Sequence, residues 1–313
     1  MANLKMTLDT HVERYTKPIF TFPHNTNILF FFFILISYVV LMSESQFGAN
    51  SHVLKLVRRH RHDWVVLILL GLIDGMLNLI EPFHRYLSEE MLTPDIKYPF
   101  HHDTIPMWAV PIYAYLFPCF LFLLYYYVRR DPHDLHYAVL GVLYSGVITG
   151  VITDTIKDAV GRPRPNFFFR CFPNGVTAFK ENGDVLCSGD SKVIKEGYKS
   201  FPSGHSSWSF AGLGFLALYL SGKIRAFDRR GHAAKLCIVL FPYLVAALVG
   251  VSRVDDYWHH WTDVFGGALL GIVVSTICYL LLFPFPHAIN CWAPHAYFIM
   301  LEESAASSRD EEV

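Results

Sequence analysis

The apolar residues of this chain come in blocks. Runs close to the ~20 residues that a helix needs to cross a bilayer recur at 64–80, 105–128, 137–156, 206–220, 234–251 and 264–283. Helices buried in a large soluble core would give weaker, more amphipathic blocks. The pattern therefore predicts an all-α, integral-membrane bundle of six transmembrane helices. The two shortest blocks extend into polar flanks, and Gly, Pro and Ser inside such helices are ordinary in lipid. A seventh block, 28–42, is rich in Phe and 15 residues long, and fits a short span, a signal anchor or an interfacial helix. A cleaved signal peptide suits it less well, because 27 residues precede it and no A-x-A site follows. There is no internal repeat and no Gly/Ser linker. The chain reads as an N-terminal region (1–60), a six-span core (61–285) and a tail (286–313).

Composition agrees with the pattern. Of 313 residues, 53% are hydrophobic and 17% charged, against about 25% charged in a soluble protein. The 26 basic and 27 acidic residues leave a net charge of -1, so no overall positive field exists to hold nucleic acid. Six cysteines without a CxxC pair argue against a zinc ribbon, a thioredoxin-type motif or a disulfide scaffold.

Charge bias orients the spans. Lys55, Arg58, Arg59 and Arg61 precede the first, Arg129 and Arg130 follow the second, and Lys223, Arg225, Arg229 and Arg230 follow the fourth. The positive-inside tendency puts these segments and the acidic C-terminus in the cytoplasm. The opposite side then receives 82–104, the long connection 161–202 and the turn 253–261. The long connection is itself basic, with Arg162, Arg164, Arg170, Lys180, Lys192, Lys195 and Lys199. It breaks the bias, and a broken rule usually has a functional cause. Its two cysteines, Cys171 and Cys187, are 16 residues apart. In an oxidising compartment a bridge between them is allowed, and two free thiols fit equally well.

Three polar clusters share that extracytoplasmic side. KDAVGRPRP carries Lys157 and Arg164; taken alone, these are cations snorkelling at a helix end. FPSGHSS carries Ser203, Gly204 and His205, where Ser203 is a plausible N-cap and the free N–H groups of a helix start face any anion above them. SRVDDYWHHWTD carries Arg253, His259 and Asp263, and the i, i+4 spacing of the last two would stack imidazole and carboxylate on one helical face. A bundle can bring all three clusters into one pocket. Three cations, backbone donors and two groups that titrate near neutrality suit phosphoryl transfer, in which charge spreads over three equatorial oxygens.

K-x6-R-P at 157–165, P-S-G-H at 202–205 and S-R-x5-H-x3-D at 252–263 together resemble the three-part signature of the type-2 phosphatidic acid phosphatase superfamily, over about residues 60–285. Within it, ITDTIKDAVGRPRPNFFFRCFP, KSFPSGHSSWSFAGL and GVSRVDDYWHHWTDVFGG look most like lipid phosphate phosphatases of plants. The resemblance implies that His259 is the nucleophile and forms a phosphohistidine, and that Asp263 fixes its tautomer. It implies that His205 is general acid and then base, and that Lys157, Arg164, Ser203, Gly204 and Arg253 hold the phosphate. It implies neither metal nor other cofactor, and a phospholipid substrate, phosphatidic acid, met at the membrane. A polyprenyl pyrophosphate or a sugar phosphate is the alternative substrate, and a non-enzymatic lipid-binding membrane protein the alternative class.

Other residues draw blander readings. Asp255, Asp256 and His260 read as surface or supporting groups. Asp74, costly inside an apolar span, reads as paired within the bundle, and Asp154 as the partner of Lys157 one turn on. Tyr125, Tyr126, Tyr127, Tyr257, Trp258 and Trp261 read as interfacial belts.

Overall fold

A computed structural model describes residues 58–310; the block 28–42 lies outside them. Among the described residues there is no strand beyond an isolated bridge between Phe179 and Val185. Among the described residues the bundle is formed by α1 (Arg61–Leu77), α2 (Ala109–Arg129), α3 (Pro132–Val160), α6 (Gly204–Lys223), α7 (Ala233–Asp255) and α8 (Trp261–Leu282). The short α4 (Phe167–Cys171) and α5 (Ser191–Gly197) lie between α3 and α6, and α9 (His295–Asp310) follows the core.

Local chemistry accounts for the boundaries. Asp131 caps α3 by accepting from the N–H groups of His133 and Asp134, with Pro132 at the first helical position. α2 widens to a π turn over Ile112–Leu116, between Pro111 and Pro118, each of which removes a backbone donor.

Among the described residues four helices, α2, α3, α7 and α8, are long and apolar enough to cross a membrane. Position in the bundle explains why α6 has a different composition. It is the central helix, packed against α3, α7 and α8, so it meets protein on most sides and buries Ser206, Ser207, Ser209 and Ser221 alongside Trp208, Leu213 and Phe215. Small residues let helices in lipid approach closely. A Cβ on Gly271 of α8 would stand 2.4 Å from the carbonyl oxygen of Ser207, so only glycine fits that crossing. The outward faces of α7 and α8 expose Phe241, Leu244, Leu248, Phe265, Leu269 and Leu281, an apolar surface suited to lipid.

The connections 82–104 and 161–202 are folded together. Leu87, Leu92, Ile96, Phe167, Phe172, Val185 and Tyr198 form a second apolar cluster, and a disulfide joins Cys171 to Cys187. The bridge that the sequence merely allows is therefore present. The basic residues of 161–202 are also largely consumed internally. Arg162 pairs with Asp263, Arg164 with Glu196, and Lys199 with Asp158 at 2.8 Å.

Candidate active site

His259 lies in the turn between α7 and α8, a segment folded back so that the N–H groups of Trp258 and His259 both donate to the carbonyl of Arg253, with Tyr257 at φ 57°. α8 begins only at Trp261, so His259 and Asp263 do not share a helical face. Their proximity comes from capping instead: the Asp263 carboxylate reaches back to the N–H of His260 at 3.0 Å.

The Nδ1 of His259 donates to the carbonyl of Ser200 at 2.7 Å. Asp263 Oδ2 is 3.8 Å from that nitrogen, within ion-pair range and outside hydrogen-bonding distance. The carboxylate is held elsewhere, accepting from Ser200 Oγ at 2.5 Å and from Arg162 Nη1 at 2.6 Å. A carbonyl only accepts, so the proton of a neutral ring sits on Nδ1 and Nε2 keeps its lone pair. Burial pushes His259 down to about 4; the positive charge of Arg164 adds to that effect, and Asp263 opposes it. The ring is therefore neutral near pH 7.

The other predicted residues converge from three directions. His205, in the first turn of α6, donates from Nε2 to the carbonyl of Ile105 at 3.0 Å, leaving Nδ1 as its second titrating nitrogen. Ser203 caps α6, its hydroxyl accepting from the N–H of Ser206, and its own N–H donates to the carbonyl of Asp263 at 2.9 Å, tying the start of α6 to the start of α8. Lys157, in the last turn of α3, pairs with Asp154 at 3.4 Å. Its Nζ would stand 2.9 Å from a Cβ on Gly204, so glycine at that position gives the ammonium room over the first turn of α6.

Arg164 is buried, pairs with Glu196 at 3.2 Å and stacks over the Trp258 ring, 4.9 Å from its centroid. Burial lowers its pKa, and the carboxylate of Glu196 partly offsets this. Arg253 is fully buried between Asp103 and Asp256, at 2.6 Å from each.

Several residues have roles that their sequence context hides. Ser200 and Arg162 hold His259 and Asp263; Ser200 stands just before the P-S-G-H motif, and Arg162 occupies one of the unspecified positions of K-x6-R-P. Asp256 is buried on Arg253 rather than at the surface, whereas Asp255 is exposed. Trp258 and Tyr257 have specific ring partners that a belt reading does not foresee. The Trp258 ring stacks with Arg164 and Arg170, and Tyr257 stacks on Tyr98 at 4.4 Å. Asp74 is buried against Gly150, and its Oδ1 has no hydrogen bond among the described residues. Among those residues no group of three or more His, Cys, Asp or Glu is arranged to hold a metal ion.

The profile of the PAP2 superfamily matches residues 138–286. Probable lipid phosphate phosphatase 4 of Arabidopsis thaliana is 64% identical over 257 residues, covering 82% of this chain and 83% of that protein. Lipid phosphate phosphatase 2 of the same plant is 60% identical over 273 residues, covering 86% and 94%. Probable diacylglycerol pyrophosphate phosphatase 1 of Schizosaccharomyces pombe is 38% identical over 227 residues, covering 71% and 81%. No solved structure matches the chain. With relatives this similar over most of their length and the three motifs gathered at one end of a helical bundle, the chain belongs to the PAP2 superfamily, among the lipid phosphate phosphatases of plants.

Proposed function

We propose that this protein is a multi-pass membrane phosphatase that hydrolyses phosphatidic acid to diacylglycerol and phosphate, with diacylglycerol pyrophosphate and related lipid phosphates as further substrates. The observation that carries the reading is the state of His259: buried, neutral, its Nδ1–H committed to Ser200, and its ring close enough to Lys157 and Arg164 for their charges to act on it.

In the first step Nε2 of His259 attacks phosphorus. An N–P bond forms as the P–O bond to the lipid breaks, and the departing oxygen takes the electron pair and a proton from His205. The attacking imidazole gains positive charge, which the Ser200 carbonyl and the nearby Asp263 carboxylate favour. Lys157, Arg164, Arg253 and the N–H groups at the start of α6, with Ser203 and Gly204, stabilise the phosphoryl oxygens. In the second step His205 takes a proton from water, the hydroxide attacks phosphorus, and the N–P bond breaks to release phosphate. In these steps His259 and His205 carry every bond change and proton transfer, and no metal or cofactor takes part.

All six long helices cross the membrane in this reading, including α1 and α6, and the site faces the lumenal or extracellular side. Basic flanks at the other end of the bundle support that orientation, as does the Cys171–Cys187 disulfide, since such bonds persist in oxidising compartments. Residues 61–285 are the catalytic core, with 286–313 a cytoplasmic tail. The test is phosphate release by purified protein in mixed micelles containing EDTA, with phosphatidic acid, a polyprenyl pyrophosphate and glucose 6-phosphate compared. His259→Ala serves as the blank. Preference for phosphatidic acid is the expected result; preference for either competitor reassigns the substrate, and no turnover of any makes the protein a lipid binder.

A further inference from the structure

Each end of the Arg253 guanidinium is taken by a carboxylate. Nη1 donates to Asp103 Oδ1 and Nη2 to Asp256 Oδ2, both at 2.6 Å, while Nε donates to Ser252 Oγ at 3.3 Å. The two carboxylates are held very differently. Asp256 is buried and accepts two further hydrogen bonds, from the N–H of Thr104 at 2.8 Å and from its hydroxyl at 2.7 Å. The Asp103 side chain is 30% exposed, and its bond to Arg253 is the only side-chain hydrogen bond it makes among the described residues.

The field of Asp103 also reaches Arg164, whose protonated form it favours. Asp103 thus puts a negative charge between two of the cations assigned above to the phosphate. A phosphoryl group that bonds Arg253 must take the Nη1 edge, because the Nη2 edge belongs to the firmly held Asp256.

We propose that Asp103 is a displaceable internal anion, which occupies the Nη1 edge of Arg253 until a phosphate takes it and so sets the affinity for substrate and for released phosphate together. This rests on the phosphate site proposed above. The cost of displacing the carboxylate is the same whichever phosphate arrives, so it weakens all of them by one factor. The benefit lies in turnover. Free phosphate left among three cations is held tightly, and a carboxylate ready to return to Arg253 competes it off.

The experiment uses the full chain in detergent micelles, comparing the wild type with Asp103→Asn and Asp103→Ser. The KM for phosphatidic acid and the Ki for inorganic phosphate should fall together in both variants, by a common factor on the order of ten. A damaged site only raises these constants, so tightening cannot come from misfolding. Asp256→Asn, which unseats Arg253, should raise both. Unchanged or raised constants in the Asp103 variants would overturn the proposal and make Asp103 a support for Arg253. Stabilisation of each protein against heat by inorganic phosphate is read alongside, and should be larger in the Asp103 variants than in the wild type. Because that readout needs no turnover, it still decides the role of Asp103 if the protein hydrolyses no phosphoester and the proposed function fails.

Discussion

The hydrogen bond from Nδ1 of His259 to the carbonyl oxygen of Ser200, at 2.7 Å, makes the backbone the element that selects the histidine tautomer. No side-chain substitution removes a backbone carbonyl. Asp263, 3.8 Å from the same nitrogen, is left to act through its charge and through Ser200 and Arg162.

That division predicts a graded series. Asp263→Asn keeps the tautomer and loses the charge that favours the imidazolium of the attacking step, so kcat should fall by ~10²–10³ with KM little changed. Ser200→Ala keeps the carbonyl and removes one hydrogen bond to Asp263, so its loss should stay within about tenfold. Steady-state kinetics on phosphatidic acid decide. A Ser200→Ala defect as deep as that of Asp263→Asn would contradict the division.

The acid limb of the pH profile is the second prediction. An ordinary histidine titrates near ~6.5, whereas burial, and then Arg164, hold His259 down at about 4. A base with a lowered pKa stays neutral until pH falls through the lowered value. The kcat/KM of the free enzyme should therefore persist between pH 6.5 and 4 and decline below about 4. Lipid phosphates titrate near ~6 themselves, so the profile is measured with two substrates of different phosphate pKa. The limb common to both belongs to the enzyme, and a common limb at the ordinary histidine value would be the contrary result.

Much of this site is legible in the sequence, because the residues of the three motifs are contiguous or closely spaced and the fold gathers them at one end of the bundle. What could not be read is the packing between motifs. Ser200 stands just before the P-S-G-H motif and Arg162 among the unspecified positions of K-x6-R-P, and they contribute a carbonyl and an ion pair whose targets lie 59 and 101 residues away. The helical spacing of His259 and Asp263 is a coincidence of a capping turn, invisible until the start of α8 at Trp261 is known. The fold shows the same limit. α6 looks a weak span because it is surrounded by helices and can carry serines, and the basic loop looks anomalous because its cations meet acids from distant segments.

The leaving group provides the third prediction. An alcohol departing as alkoxide needs its proton, whereas a phosphate leaving from a pyrophosphate has a pKa near ~6 and departs without one. His205→Ala should therefore slow phosphatidic acid hydrolysis by ~10²–10⁴ and diacylglycerol pyrophosphate hydrolysis much less. Equal losses on both substrates would remove His205 from the role of acid.

A fourth prediction concerns the cross-link that holds 161–202 together. Closing a loop of the 16-residue separation between Cys171 and Cys187 is worth about 2–4 kcal/mol. The double variant Cys171→Ser with Cys187→Ser should unfold at lower temperature, and reductant should lower the wild type to the same midpoint without affecting the variant. A wild type indifferent to reductant would contradict the prediction.

The most direct test of the central claim is to trap the phosphoenzyme. Purified protein is mixed with phosphatidic acid carrying labelled phosphate, in EDTA, and quenched in alkali during turnover. The account predicts acid-labile, alkali-stable label on His259, absent from His259→Ala, together with loss of turnover in that variant. Label on another residue, or a His259→Ala protein that still hydrolyses phosphatidic acid, would contradict it.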